Sequence, residues 1–210
     1  NQISRDPWTF LLSEAPLTKE PLVWTRNENS KRGKDPFPDK EYLKLYIETL
    51  RREPVTLTPK SRQMIISTAT LCLSLWEIMF EQSWRTILSK VTEEDAEELL
   101  ENKVRFTYRK LPLWLRGQRT IHDRPKGKAV CLETSSYILA AAQNVADREA
   151  RGGTGNRLII DEAAYQDFTQ KIVEAGQPMT QFLVLVTTPN VSYPGGRYVR
   201  RLIFDEEEDL

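Results

Sequence analysis

The sequence predicts an α/β domain with a mainly parallel sheet flanked by helices, and three observations lead there. The run Arg157-Leu158-Ile159-Ile160 drives three apolar β-formers straight into Asp161-Glu162 and then into the small, helix-forming Ala163-Ala164. A second apolar run, Gln181 to Val186, ends in the polar Thr187-Thr188-Pro189-Asn190. A short stretch, Val55 to Thr58, is β-branched at three of its four positions and leads through a polar loop into a long apolar helix. Strands apolar on every residue are buried on both faces, which a parallel sheet achieves when helices cover it.

Taken in order, residues 1–37 are rich in proline and read as irregular, with Trp8, Phe10 and Trp24 as anchors and Lys31-Arg32-Gly33-Lys34 as a basic loop. Asp39 is placed to cap a helix from about Lys40 to Arg52. Its face is Tyr42, Leu43, Tyr46, Ile47 and Leu50, and Pro54 ends it. The strand Val55 to Thr58, the loop from Pro59 and an apolar helix to about Gln82 follow. Arg85 to Leu88 reads as a strand. Thr92 and Asp95 resemble a capping box before a helix from about Glu93 to Tyr108. Residues 112–128 read as a basic loop. Ala129 to Leu132 and Tyr137 to Ala141 fit a hairpin turning near Glu133 to Ser136. Asn144 to Ala150 suits a short helix, Arg151 to Gly155 a flexible turn, and Asp167 to Ala175 a helix ended by Gly176 and Pro178.

Composition narrows the classes. The chain has 210 residues, enough for one large α/β domain or two small ones, and the 40% hydrophobic fraction suffices for a core. Thirty basic residues balance thirty acidic ones, so net charge names no partner. The charges are segregated, however. Nine Lys or Arg and one acid, Asp123, lie between Lys103 and Lys128, and Asp205 to Asp209 is wholly acidic. Cys72 and Cys131 are too few for a disulfide framework, which points to a reducing cytoplasm. No apolar run reaches the roughly 18 residues of a membrane span, and there is no signal peptide pattern. The first residue is Asn1, as expected of a piece excised from a longer protein.

The chemistry concentrates at strand ends. Asp161 and Glu162 fall at the carboxyl end of their strand, where open α/β sheets bind ligands. Adjacent strand residues point to opposite sides, so one acid can hold a metal while the other faces a water. Strand, Lys/Ser loop and helix form the layout of a phosphate-binding loop, whose helix N-terminus offers N–H groups and a positive dipole. The bland readings are an acidic strand end that caps a helix and a solvated loop lysine. His122, the lone histidine, is expected in a loop, and Cys72 and Cys131 are expected to be packing residues.

In this order the pieces resemble the ATPase domain of viral large terminases, the motors that package phage DNA. Lys60-Ser61-Arg62-Gln63-Met64 with Ser67-Thr68 looks like their variant Walker A loop, and Arg157 to Ala164 like their Walker B. Arg151-Gly152, ten positions before Asp161, resembles an arginine-finger turn, and Thr187-Thr188-Pro189-Asn190 a coupling motif. The match runs from about Asp35 to Phe204. The resemblance implies a P-loop NTPase of the additional-strand type over residues 38–204, with 205–210 an acidic end or the start of a linker to a nuclease domain outside this chain. It implies ATP and Mg²⁺ as cofactors. Lys60, Ser61, Arg62, Gln63, Met64, Ser67 and Thr68 would bind nucleotide. Ser67 and Asp161 would hold the metal. Glu162 would activate water, helped by Arg62 at the γ-phosphate and by Arg151, which would complete a neighbour's site. Thr187, Thr188 and Asn190 would couple hydrolysis to motion.

Arg105, Arg109, Lys110, Arg116 and Arg119 are candidate contacts to double-stranded DNA, which needs cations but no sequence code. A portal protein, a small terminase subunit and sister subunits in a ring are the other implied partners, in the host cytoplasm. The loop departs from the standard pattern. Lys60 stands at the first Gly position, Ile65 at the second Gly, and Ile66 at the Lys. An isoleucine resists φ > 0, so the loop is expected to take another path or to bind phosphate weakly, with slow turnover in the isolated chain. Two alternatives stay open: a helicase-like nucleic-acid-dependent ATPase, and a degenerate nucleotide- or DNA-binding module without hydrolysis.

Overall fold

A computed structural model describes residues 2–61, 64–122, 126–152 and 155–204, with the side chains of 150–152 outside the described set. The N-terminal segment is more ordered than its prolines suggest. Asp6 caps α1 (Pro7–Leu12) by accepting from Trp8 and Thr9 N–H. The strands β1 (Trp24–Arg26) and β2 (Lys34–Pro36) pair antiparallel. Phe10, Leu11, Leu22, Val23 and Phe37 join the main core, and Trp8 meets Phe37 edge-on at 6.1 Å. Three-residue strands are too short to show a period in the sequence, so only tertiary burial reveals them.

Helix α2 (Glu41–Arg52) buries Leu43, Tyr46, Ile47 and Leu50 as expected, but Tyr42 is exposed and Asp39 is no cap: Lys40 holds that position without a side-chain bond. Strand β3 (Val55–Pro59) leads to α3 (Ile66–Phe80), which is buried on nearly every residue because it lies wholly inside the core. Strand β4 (Arg85–Lys90) runs two residues past its expected end. Thr92 caps α4 (Glu93–Leu99) as expected, accepting from Asp95 N–H at 3.1 Å. The helical path continues through a π-turn at Leu100–Arg105 into α5 (Phe106–Lys110).

The expected basic loop instead contains α6 (Leu113–Gln118) and β5 (Ile121–His122), the latter carrying the lone histidine. The hairpin is present as β6 (Lys128–Cys131) and β7 (Ser136–Ala142). Helix α7 (Gln143–Gly152) extends through Arg151, where a turn was expected. Then come β8 (Gly155–Asp161), a 3-10 turn at Ala163–Tyr165, α8 (Thr169–Gly176), β9 (Thr180–Thr187) and α9 (Pro194–Phe204). Nothing in the sequence pattern announced α9, whose Pro-Gly-Gly start reads as a loop.

The seven-stranded sheet has the order β3-β9-β8-β4-β7-β6-β5. Strands β3, β9, β8, β4 and β7 are parallel, β6 pairs antiparallel with β7, and β5 pairs antiparallel with β6. Strand β9 is thus inserted between the first parallel strand and the acidic one. Along β8, Ile159 faces the core of α1 to α4, while Leu158 and Ile160 face that of α7 to α9. A fully apolar strand therefore serves two cores at once.

Helix α3 and β8 are joined at both ends. At one end Ser67 Oγ donates to Asp161 Oδ1 at 2.6 Å. At the other, Arg157 forks onto Glu77, with Nη2 to Oε1 at 2.6 Å, both groups buried. Ten helical residues rise roughly 15 Å and four strand residues roughly 13 Å, so the two spacings match.

Candidate functional site

The carboxyl ends of β3, β8, β4 and β9 bring the predicted pieces to one rim. Lys60 follows β3, and its backbone N–H donates to Thr187 O at 2.8 Å. Ser67 sits in the first turn of α3, and its hydroxyl meets Asp161 from the end of β8. Lys60, Met64, Ile65, Ser67 and Thr68 line one open pocket of about 480 Å³. Arg62 and Gln63 lie outside the described residues. Ser61 is exposed.

Ile65 adopts φ +60°, ψ 6°, the left-handed conformation expected of glycine. This corrects the expectation that the loop avoids φ > 0 there: the chain makes the turn with isoleucine and carries about 1–2 kcal/mol of strain. Ile65 offers no side-chain oxygen as a cap, so the first-turn N–H groups of α3 take none from it and face the pocket with the positive end of the helix dipole.

Glu162 is a second left-handed residue, at φ +56°. Its carboxylate is half-exposed and lies 2.8 Å from Lys90 Nζ, which is also 3.4 Å from Asp161 Oδ2. Burial alone would lower the Lys90 ammonium, but Asp161 and Glu162 outweigh it and hold it above the ordinary lysine range. Sequence reasoning missed Lys90. The sequence pattern ends its strand at Leu88, which leaves the lysine in a loop. The register places Ser89 opposite Ile160, so Lys90 falls beside the acids. Gln166, also missed, is buried and fastens β4 to β8, donating to Asp161 O at 2.7 Å and Ser89 O at 3.1 Å.

The polar end of β9 is wired into the same turn. Thr187 is fully buried, and its Oγ1 accepts from Ala164 N–H at 2.9 Å. Thr188 supplies the carbonyl that the Thr187 hydroxyl reaches at 3.1 Å. Asn190 Oδ1 accepts from Ser192 N–H at 3.0 Å, a local turn bond. Helix α9 presses on this region through glycine. A Cβ on Gly195 would lie 2.2 Å from Gln166 O, and one on Gly196 1.5 Å from Asn190 O.

The hairpin β1–β2 overhangs the rim, and Asn27, Asp35 and Lys103 complete the pocket wall. The donor set suits a hard divalent cation: a hydroxyl and a carboxylate oxygen, Ser67 and Asp161, side by side. Among the described residues no group of three or more His, Cys, Asp or Glu forms a protein-only metal cage.

Arg151 belongs to the last turn of α7, before the amino end of β8, and its side chain lies outside the described residues. Seven strand residues, roughly 20 Å, separate that end from Asp161. The five basic candidates are tied into the domain. Arg105 bonds Glu101 and Lys128 O, and Arg109 bonds Glu101. Lys110 sits over Phe106, Arg116 donates to Leu111 O, and Arg119 donates to Met79 O.

The strand order, with β9 inserted between β3 and β8, is that of the P-loop NTPase fold of the additional-strand type. No protein-family model and no curated protein matches the chain. Solved structures do. The large terminase ATPase domain of Thermus phage P74-26 has TM-score 0.52 at 16% identity, covering 69% of this chain and 64% of that one. The large terminase of bacteriophage HK97 has TM-score 0.65 at 13% identity, covering 96% of this chain and 41% of that one. That of the thermophilic bacteriophage D6E has TM-score 0.53 at 11% identity, covering 72% and 39%. The chain thus has the fold of phage large-terminase ATPase domains and spans under two thirds of each of these structures. Among the described residues no helix is long and apolar enough to cross a membrane.

Proposed function

We propose that this chain is the ATPase motor domain of a viral large terminase, which hydrolyses ATP with Mg²⁺ to drive double-stranded DNA into a procapsid. The observation that carries the reading is the Ser67–Asp161 contact, which joins the phosphate-loop helix to the acidic strand beside a pocket that Lys60 also lines. Lys60 and the N-terminus of α3 would take the phosphates, with Ser61, Arg62, Gln63, Met64 and Thr68 around them. Ser67 and Asp161 would hold Mg²⁺, which supplies charge neutralisation on the phosphates. Glu162 would orient and deprotonate the attacking water. Thr187 bonds the turn after Glu162, and with Thr188 and Asn190 it would couple hydrolysis to motion.

Arg151 leaves the rim by roughly 20 Å, the length of β8, so its finger role would be played in a neighbour's site within a ring. A portal protein and a small terminase subunit are the further partners proposed. Contact of Arg105, Arg109, Lys110, Arg116 and Arg119 with DNA would exchange their present bonds for phosphate.

The test is ATP turnover of the intact protein beside Glu162→Gln. Loss of a general base lowers the rate about 100-fold or more, while calorimetry shows nucleotide binding retained. Equal rates would remove Glu162 from catalysis. Binding without turnover in the wild type would favour the degenerate module.

A further inference from the structure

Lys90 is a charged group at this rim to which neither the loop pattern nor the acidic strand gave a task. Its side chain is only 12% exposed and its ammonium contacts both acids, 2.8 Å from Glu162 Oε2 and 3.4 Å from Asp161 Oδ2. Ser67 engages the other oxygen of Asp161. The acids are adjacent in the chain, one buried and one half-exposed, and they repel unless a cation lies between them. Joining β4 to β8 does not require the lysine, because Gln166 already bonds Ser89 O and Asp161 O from one amide. What Lys90 adds is a positive charge.

The geometry points to Lys90 as a positioning residue, a tethered counter-cation that competes with the divalent metal for Asp161 while holding the Glu162 carboxylate in place. The inference rests on the nucleotide-site reading above. A lysine suits the task. Its ammonium is a compact charge on a flexible stem, able to leave one carboxylate and keep the other, whereas an arginine fork would bind both in fixed geometry. Metal would therefore enter well only together with nucleotide phosphates, which add the ligands needed to displace Lys90 from Asp161. The consequence is a site that resists free Mg²⁺ and accepts Mg²⁺ with nucleotide.

The experiment is a thermal melt of the intact protein with MgCl₂ alone, at ionic strength held constant with KCl, for wild type, Lys90→Met and Lys90→Arg. Lys90→Met should melt lower without Mg²⁺ and recover as Mg²⁺ is added, with a midpoint roughly tenfold or more below that of the wild type, because one competing charge has gone. Lys90→Arg keeps the charge but forks onto both acids, so its midpoint should lie at or above that of the wild type. Adding Asp161→Asn to Lys90→Met should abolish the recovery, which a purely structural salt bridge would not predict. Lys90→Gln replaces Lys90→Met should the latter fail to fold. Equal Mg²⁺ responses in wild type and charge-removed variants overturn the inference. Calorimetry with Mg²⁺ and ATP separates the two readings. A wild type that binds no nucleotide sinks the ATPase reading and leaves the Mg²⁺ comparison standing. Nucleotide binding with identical Mg²⁺ responses sinks the Lys90 assignment alone.

Discussion

The buried pair Glu77–Arg157 offers a measurement of what holds α3 to β8. Arg157 donates from Nε to Glu77 Oε2 at 3.0 Å and from Nη2 to Oε1 at 2.6 Å, and both terminal nitrogens reach Leu50 O at 3.1 Å. Its guanidinium also lies 4.9 Å from the centre of the Phe182 ring. Glu77→Ala strips the charge partner from a guanidinium with no access to water, and such a loss costs about 3–5 kcal/mol. For a chain of this size that lowers the melting midpoint by on the order of 10 °C.

The double variant Glu77→Leu with Arg157→Met removes both charges and keeps the volume. Its main remaining cost is the orphaned Leu50 carbonyl, about 1–3 kcal/mol, so it should be more stable than either single variant. Urea denaturation of wild type, Glu77→Leu, Arg157→Met and the double gives the coupling energy directly. The reasoning predicts several kcal/mol in favour of the pair. A coupling energy below about 1 kcal/mol, or a double variant weaker than both singles, would refute it.

Two further predictions test packing around the site. Gly196→Ala puts a Cβ 1.5 Å from Asn190 O, a backbone atom, so α9 must shift. The variant should lose about 1–3 kcal/mol in a denaturant melt, and ordinary stability would show that α9 does not dock as described. Burial pushes the Cys72 thiol up to about 12, so at pH 8 it should resist a thiol reagent in the folded protein and react once denatured. Rapid labelling of native Cys72 would contradict its place in the core.

Much of the architecture was legible from local pattern. Consecutive apolar residues at Leu158 to Ile160 and through Val186 announced strands buried on both faces, and the structure puts their alternate residues in two separate cores. The Thr92 cap and the β6–β7 hairpin follow from residues within a few positions of each other. Ser67, Asp161 and Lys60 were singled out by the resemblance to terminase ATPase domains, and they meet at one rim. Their meeting follows from the parallel sheet itself, which collects the carboxyl ends of its strands on one side.

What the pattern missed depends on contacts remote in the chain. Ser67 and Asp161 stand 94 positions apart. No local signal marks Lys90 as a partner of Asp161, because their meeting is set by the register of β4 on β8. The left-handed turn at Ile65 contradicts the intrinsic preference of isoleucine, and the surrounding fold imposes it. The β1–β2 hairpin and α9 are short or glycine-led segments whose conformations are fixed by what they pack against. The amino-acid order by itself determined which residues could carry the chemistry and what kind of sheet would present them. Only the tertiary structure decided which charges face one another, because electrostatic partners are chosen by distance in space, which register and packing set.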